Sequence, residues 1–333
     1  MRMFRIGITA DVLQSNGLPI FGEAALALLE GPGIEWEYMD QHSGEISTAH
    51  AARYDAICAM VTRVTRQSLS GKDLRLKLIA RFGVGYDSID VPACSAAGVM
   101  LTIAPDGVRR PVATSALTLV LMLAQQVLIK DRLTRSGRWH EKLDYIGTGL
   151  TGRTLGSIGI GNIGAELFRL ARPLDMQAIA HDPAVDAAQA AALGVRLVDI
   201  ETLFRESDFL TVNCPLNEHT LGLVSARLLA LMKPSAYLIN TARGPIVDEK
   251  ALYQALVSGQ IAGAGLDVFE QEPTPADNPI LQLDNVVVTP HGICFTDECM
   301  RGLAESAFRA ATDVAAGREP PFIVNREALS VHR

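Results

Sequence analysis

Six consecutive residues, Gly159-Ile160-Gly161-Asn162-Ile163-Gly164, restrict the fold more than any other part of this chain. A GxGxxG pattern is common by itself, so its meaning comes from its neighbours. An apolar stretch of strand length, Thr154 to Ile160, leads into it, and the spacing beyond predicts a helix over 163–173. A strand that turns sharply into a helix needs glycine for the turn, here Gly159. It needs glycine where a pyrophosphate meets bare backbone, Gly161, and where helix and strand pack closely, Gly164. The helix start, with Asn162 and Ile163, offers N–H groups and partial positive charge to phosphate. Asp182 ends the next predicted strand, where a carboxylate accepts from ribose hydroxyls and repels a 2′-phosphate. The combination predicts a Rossmann unit that binds NAD in preference to NADP. His181, just before it, reads as a surface residue on the adenine side.

The rest of the chain alternates in the same way. Strand-like runs at 4–9, 34–38, 56–61, 77–82 and 99–103 surround helix-like segments at 22–29 and 89–97. After Gly147–Gly152 a second alternation begins, with strands at 154–160, 176–181, 209–213, 237–240, 263–266 and 286–289 and helices at 163–173, 184–193 and 248–258. Such alternation indicates parallel sheets covered by helices. At 333 residues the chain is too long for one ordinary core. The expected fold is α/β, with two doubly wound parallel-sheet domains. A Rossmann NAD-binding domain, 105–294, is inserted into a flavodoxin-like, substrate-binding domain built from 1–104 and 295–333. Pro105-Asp106-Gly107 reads as a hinge before one long apolar helix over about 111–135, and a closing helix is predicted at about 296–316.

Composition excludes several classes. A formal charge of −7 argues against a nucleic-acid or anionic-membrane surface. The five cysteines (Cys58, Cys94, Cys214, Cys294, Cys299) are scattered with no CxxC pair. That spacing favours reduced thiols in a cytoplasmic protein and predicts no metal site. The amino-terminal segment lacks the pattern of a signal peptide. The stretch 111–129 carries Thr114, Ser115, Thr118, Gln125 and Gln126 and reads as a buried helix, not a membrane span.

Several segments resemble the D-isomer-specific 2-hydroxyacid dehydrogenase family, in its order and spacing. They are Arg81-Phe82-Gly83-Val84-Gly85-Tyr86-Asp87, the GIGNIG turn, Asn213-Cys214-Pro215-Leu216, Asn240-Thr241-Ala242-Arg243-Gly244, Gly265-Leu266-Asp267-Val268-Phe269-Glu270-Gln271-Glu272-Pro273 and Thr289-Pro290-His291. The resemblance spans essentially the whole chain. It implies hydride transfer between NAD and carbon 2 of a small D-2-hydroxy or 2-oxo acid, of the glyoxylate/hydroxypyruvate or 3-phosphoglycerate type. It also implies a catalytic trio of Arg243, Glu272 and His291, and a homodimer.

The residue types suit those roles. A histidine changes protonation near neutral pH, as a proton donor to a carbonyl oxygen must. A carboxylate bonded to it, Glu272, favours the imidazolium. A guanidinium forks onto a carboxylate, so Arg243 suits the substrate acid. By the same resemblance the N–H groups of Val84 and Gly85 cradle the substrate carboxylate. Asp267 accepts from the nicotinamide carboxamide, and Pro215, Thr220, Thr241 and Ala242 line the cofactor.

The chain departs from the family pattern in two places. Cys294 stands where a glycine commonly follows the histidine by three residues, and Thr114 replaces a glutamate after Val112-Ala113. Glu272 disfavours the formate-oxidising branch, which carries glutamine there. Arg109-Arg110 either read a second anionic group on the substrate or simply open a solvated helix. The alternative from another class is an NAD(H)-sensing, corepressor-like module with little turnover.

Overall fold

The computed structural model describes residues 2–40 and 44–330, which form two compact units, one from the described residues up to 111 together with those from 295 onward, the other 112–294. In the first unit five parallel strands, β1 (Phe4–Ile8), β2 (Ile34–Tyr38), β3 (Ala56–Ala59), β4 (Leu78–Arg81) and β5 (Met100–Thr102), are ordered β2-β1-β3-β4-β5. That is the flavodoxin-like order. Helices α1 (Thr48–Arg53) and α2 (Val91–Ala96) follow β2 and β4.

The predicted helix at 22–29 is instead a 3-10 helix, Glu23–Leu29. Seven residues barely support an α-helical nucleus, and short segments often take the tighter turn.

The second unit holds β6 (Thr154–Ile158), β7 (Gln177–His181), β8 (Arg196–Leu197), β9 (Phe209–Val212), β10 (Tyr237–Asn240), β11 (Gly263–Leu266) and β12 (Val286–Val288). Their order is β12-β11-β10-β9-β6-β7-β8, all parallel, which is the Rossmann order extended by one strand. The two-residue edge strand β8 gives no periodic signal in the sequence.

Alternate residues of one strand enter different cores. Leu210, Val212 and Leu238 pack with Leu203, Phe204, Leu228 and Leu252. Phe209, Tyr237 and Ile239 pack with Leu119, Leu123, Leu167 and Phe168. Both faces of the sheet are therefore buried, which is why its strands read as continuous apolar runs.

The predicted helix at 111–135 differs in the structure. Pro105 begins helix α3 (Pro105–Ala124), so Pro105-Asp106-Gly107 form its first turn and not a loop. A proline is tolerated there because the first N–H groups of a helix have no partner within it. After Ala124 the backbone turns left-handed at Gln126 (φ 52°) and α4 (Val127–Arg135) begins. The break has a tertiary cause: Thr148 donates its N–H to the Ala124 carbonyl at 2.7 Å, with Gly147 packed tightly against the same oxygen. By length and composition α3 is apolar enough to cross a membrane, yet more than half of that stretch is buried within the protein.

Helices α5 (Asn162–Ala171), α6 (Ala187–Ala192), α7 (Ile200–Glu206), α8 (Ala226–Leu229) and α9 (Glu249–Val257) link the strands of the second unit. The last helix, α10 (Asp297–Ala315), returns to the first unit. It carries Phe308 edge-on to Phe21 (5.3 Å) and Phe82 (5.8 Å), each ring fully or nearly buried. Burying a phenylalanine contributes roughly 1.5–3 kcal/mol, so α10 is part of the core of a domain begun almost three hundred residues earlier. Asn325 completes the join: its amide accepts from Leu101 N–H (2.7 Å) and donates to the Val99 carbonyl (2.9 Å).

Candidate active site

Most of the residues predicted to act in the second unit lie just beyond the end of a strand, while Glu272 and Thr220 sit further along the loops after β11 and β9. Gly159 follows β6, Asp182 follows β7, Thr241, Ala242 and Arg243 follow β10, and Asp267 follows β11. Pro215 and His291 lie two residues further from their strands, β9 and β12. In a parallel sheet these ends share one edge, which is where such folds bind ligands.

Gly159 has φ +89°, and a Cβ there would stand 3.1 Å from the Cys214 nitrogen. A Cβ on Gly164 would meet the Gly159 carbonyl oxygen at 2.5 Å. A Cβ on Gly161 would meet nothing within 4 Å, so this turn leaves open space in front of bare backbone. Gly161 caps α5 and no side chain caps that helix start. Open space before an uncapped helix N-terminus suits a pyrophosphate.

Asp182 accepts the Ile160 N–H (2.9 Å) at one carboxylate oxygen and the Ala184 N–H (2.9 Å) at the other. It therefore ties the glycine turn to the end of β7 while each oxygen keeps a lone pair for a ribose hydroxyl. His181 is not a free surface group: its Nδ1 lies 3.1 Å from the Val198 carbonyl oxygen and the ring is half-buried.

The trio gathers on three loops. His291 Nδ1 and Glu272 Oε2 are 2.6 Å apart, and Glu272 Oε1 accepts the Phe269 N–H at 3.0 Å. Hydrogen bonding to Glu272 raises the His291 pKa against the opposing effects of burial and of the Arg243 charge. Burial pushes the Glu272 carboxyl up, but hydrogen bonds from His291 and Phe269 N–H, with the His291 and Arg243 charges, bring it below its usual value. Arg243 Nη1 donates to its neighbour's carbonyl, Ala242, at 2.7 Å.

Three residues of the resembling segments, given no role by the sequence, support the site. Asn240, fully buried, accepts the Ala242 N–H (3.0 Å) and donates to the Arg243 carbonyl (2.9 Å), so it shapes the Arg243 turn. Gly244 places this turn directly on the Phe269–Glu270 backbone, where any Cβ would overlap it. Thr289 donates its hydroxyl to Asp267 Oδ1 (2.6 Å). The same oxygen accepts Gly292 N–H (2.9 Å) and Ile293 N–H (3.1 Å), and the Asp267 carbonyl accepts His291 N–H (2.8 Å). Buried Asp267 thus holds the segment in which His291 takes a left-handed backbone, φ 50°. The sequence signal for all three was their place beside Arg243 and His291 in those segments.

Thr220 turns its hydroxyl to the Pro215 carbonyl (2.6 Å), closing the loop after β9. Cys294 is half-buried and Thr114 is exposed on α3. Arg109 lies 3.4 Å from Asp106 on the same helix turn.

In the first unit Val84 and Gly85 follow β4 in a turn whose two N–H groups, among the described residues, donate no hydrogen bond. No cluster of metal-ligating side chains occurs among the described residues.

Residues 117–292 match the model of the D-isomer specific 2-hydroxyacid dehydrogenase NAD-binding domain, which is more than half of the chain. A glyoxylate reductase of Korarchaeum cryptofilum is 38% identical over 280 residues, covering 83% of this chain and 84% of that protein. A D-3-phosphoglycerate dehydrogenase of Archaeoglobus fulgidus is 38% identical over 308 residues, 92% of this chain, which spans only 58% of its length. The crystal structure of a glyoxylate reductase from Paecilomyes thermophila superposes with a TM-score of 0.81 at 28% identity, covering 97% of this chain and 99% of that one. A Rossmann strand order, a glycine turn open to a pyrophosphate, the family model over more than half of the chain and a relative matched over most of its length converge on one assignment: the chain belongs to the D-isomer specific 2-hydroxyacid dehydrogenases, NAD-dependent enzymes of 2-hydroxy and 2-oxo acids.

Proposed function

We propose that this dehydrogenase reduces a small 2-oxo acid of the glyoxylate or hydroxypyruvate type, with Arg243, Glu272 and His291 as its catalytic residues. The observation that carries the reading is the 2.6 Å pairing of His291 with Glu272, which commits Nδ1–H to the carboxylate and leaves Nε2 to exchange a proton. Glu272 favours the protonated imidazole, as a proton donor to an oxo acid requires. Arg243 holds the substrate carboxylate and polarises the adjoining carbonyl. NAD(H), when bound, would supply or accept the electron pair as hydride at carbon 2. His291 gives its Nε2 proton to the carbonyl oxygen, which becomes the hydroxyl, and recovers a proton from water.

Gly159, Gly161, Asn162, Ile163 and Gly164 would hold the pyrophosphate and Asp182 the ribose. Pro215, Thr220, Thr241 and Ala242 would line the cofactor. Asp267 Oδ2, the oxygen outside the network that holds His291, would accept from the nicotinamide carboxamide. Val84 and Gly85, in the substrate-binding domain, would take the substrate carboxylate through their free N–H groups.

Support for the small-acid reading comes from the similarity to the glyoxylate reductases of Korarchaeum cryptofilum and Paecilomyes thermophila. A homodimer and a cytoplasmic location are part of the proposal. Trp139, Leu143 and Ile146, exposed to 63%, 73% and 76%, are apolar surface a second copy would cover. The five cysteines are scattered with no CxxC pair, a spacing that suits reduced thiols in a reducing compartment.

The test is NADH oxidation at 340 nm with glyoxylate, hydroxypyruvate, pyruvate and 3-phosphohydroxypyruvate, with His291→Ala alongside. Turnover should be best on glyoxylate or hydroxypyruvate and fall by about 10²–10⁴-fold in the variant. A preference for the phosphorylated acid, or a variant as fast as the wild type, overturns the reading.

A further inference from the structure

We infer that Arg81 is a positioning residue for substrate binding: its guanidinium presets the Val84–Gly85 turn so that both N–H groups face a carboxylate. The inference rests on the proposed role of that turn. Arg81 is the last residue of β4 and is half-buried. Its Nε donates to the Gly85 carbonyl at 2.9 Å, and its Nη1 reaches the Ala59 carbonyl, at the end of β3, at 3.4 Å. One planar group therefore spans the end of the neighbouring strand and the far side of the turn.

The turn is also anchored at its two ends: beyond Gly85 the Tyr86 carbonyl accepts the Ile89 N–H (2.9 Å) and the Ser88 carbonyl accepts the Val64 N–H (3.0 Å). The Gly83 carbonyl accepts the Ala104 N–H (2.9 Å) and Phe82 N–H donates to Ala59 (2.9 Å), both before Val84. Between these anchors, the Arg81 guanidinium bonds the Gly85 carbonyl directly. The Gly85 carbonyl is coplanar with the Tyr86 N–H and is separated from the N–H of its own residue by only two backbone dihedrals. Tethering Gly85 O therefore restricts where Gly85 N–H and the preceding Val84 N–H point.

Loss of that tether leaves two donors that must be ordered each time an anion binds, a cost that appears in affinity and not in the chemical step. The guanidinium also places permanent positive charge beside a turn meant for a carboxylate, which the handful of neutral N–H groups alone would not supply.

The experiment compares wild type with Arg81→Met and Arg81→Lys as NADH complexes, using oxamate as the carboxylate probe and glyoxylate as substrate. In wild type, the ¹⁵N–¹H resonances of Val84 and Gly85 should shift on adding oxamate. In Arg81→Met, the oxamate Kd and the glyoxylate KM should each rise about tenfold or more, with kcat within about threefold and the NADH KM unchanged. Arg81→Lys keeps the charge without the fork and should fall between, and it serves as the deciding variant if Arg81→Met melts early. If the two resonances shift in wild type but the folded variant binds oxamate as wild type does, or loses kcat at unchanged KM, the Arg81 inference is wrong and the cradle stands. If the resonances stay still, the cradle reading fails and takes the inference with it.

Discussion

Nδ1 of His291 and Oε2 of Glu272 stand 2.6 Å apart, and the two residues are held from behind by different means. Glu272 is fixed by the Phe269 N–H, whose backbone Gly244 lets the Arg243 turn touch. His291 is fixed through its own backbone, which Asp267 and Thr289 hold in a left-handed conformation. Contacts within the protein thus hold both members of the pair, whose charge state can be tested.

Glu272→Gln keeps the shape of the pair and removes its charge, so His291 should deprotonate at lower pH. The limb on which 2-oxo acid reduction falls with rising pH should move to lower pH, with kcat/KM down about ten- to a hundred-fold at neutral pH. A pH–rate profile with the limb unmoved would mean another group sets the His291 charge.

The same pair makes stability depend on pH in a defined window. The His291 pKa is raised in the fold, so its contribution is complete below the ordinary histidine value of 6.5 and is lost as pH rises through the raised pKa. The Glu272 pKa is lowered, so its contribution is complete above the ordinary 4.5 and is lost as pH falls through the lowered pKa. The melting-temperature gap between wild type and Glu272→Gln should be widest between pH 4.5 and 6.5, as scanning calorimetry across pH 4 to 9 would show.

Gly244→Ala should act at a distance from its own atoms. The added methyl overlaps the Phe269 carbonyl group, so the Arg243 turn and the loop bearing Glu272 must separate. Overpacking of this kind costs about 1–3 kcal/mol, and kcat/KM should fall at least about tenfold with NADH binding retained. Thermal melts paired with steady-state kinetics check both halves, and full activity in the variant would show that the two loops tolerate separation.

Asp182→Ala should do more than remove a ribose contact. Both carboxylate oxygens already accept backbone N–H groups, one of them in the glycine turn. The NADH Kd should rise about tenfold or more. NADPH should gain only the relief of repulsion, without reaching the efficiency wild type has with NADH. Fluorescence titration with both cofactors measures this, and an unchanged NADH Kd would separate Asp182 from the turn.

Much of this was legible in the sequence, for reasons that differ by element. Tyr237–Asn240 and Gly263–Leu266 are buried on both faces, so their apolar runs begin and end where the strands do. Gly159 and Gly164 are legible because no other side chain fits their positions. The break after Ala124 is not local: it depends on Thr148, and nothing in the helical periodicity of 111–135 marks it. Asn240, Gly244 and Arg81 were missed as supports for the same reason. Their partners, Arg243, Phe269 and Gly85, are shown only by the folded chain.

The placement of Gly159, Asp182, Arg243, Asp267 and His291 beyond strand ends divides the molecule into parts that can change independently. The strand interiors set how stable the scaffold is, and the connecting segments set which acid is turned over. A population under selection can therefore try new pockets by exchanging loop residues without reopening the problem of folding. It can equally drift in its core while the reaction stays the same.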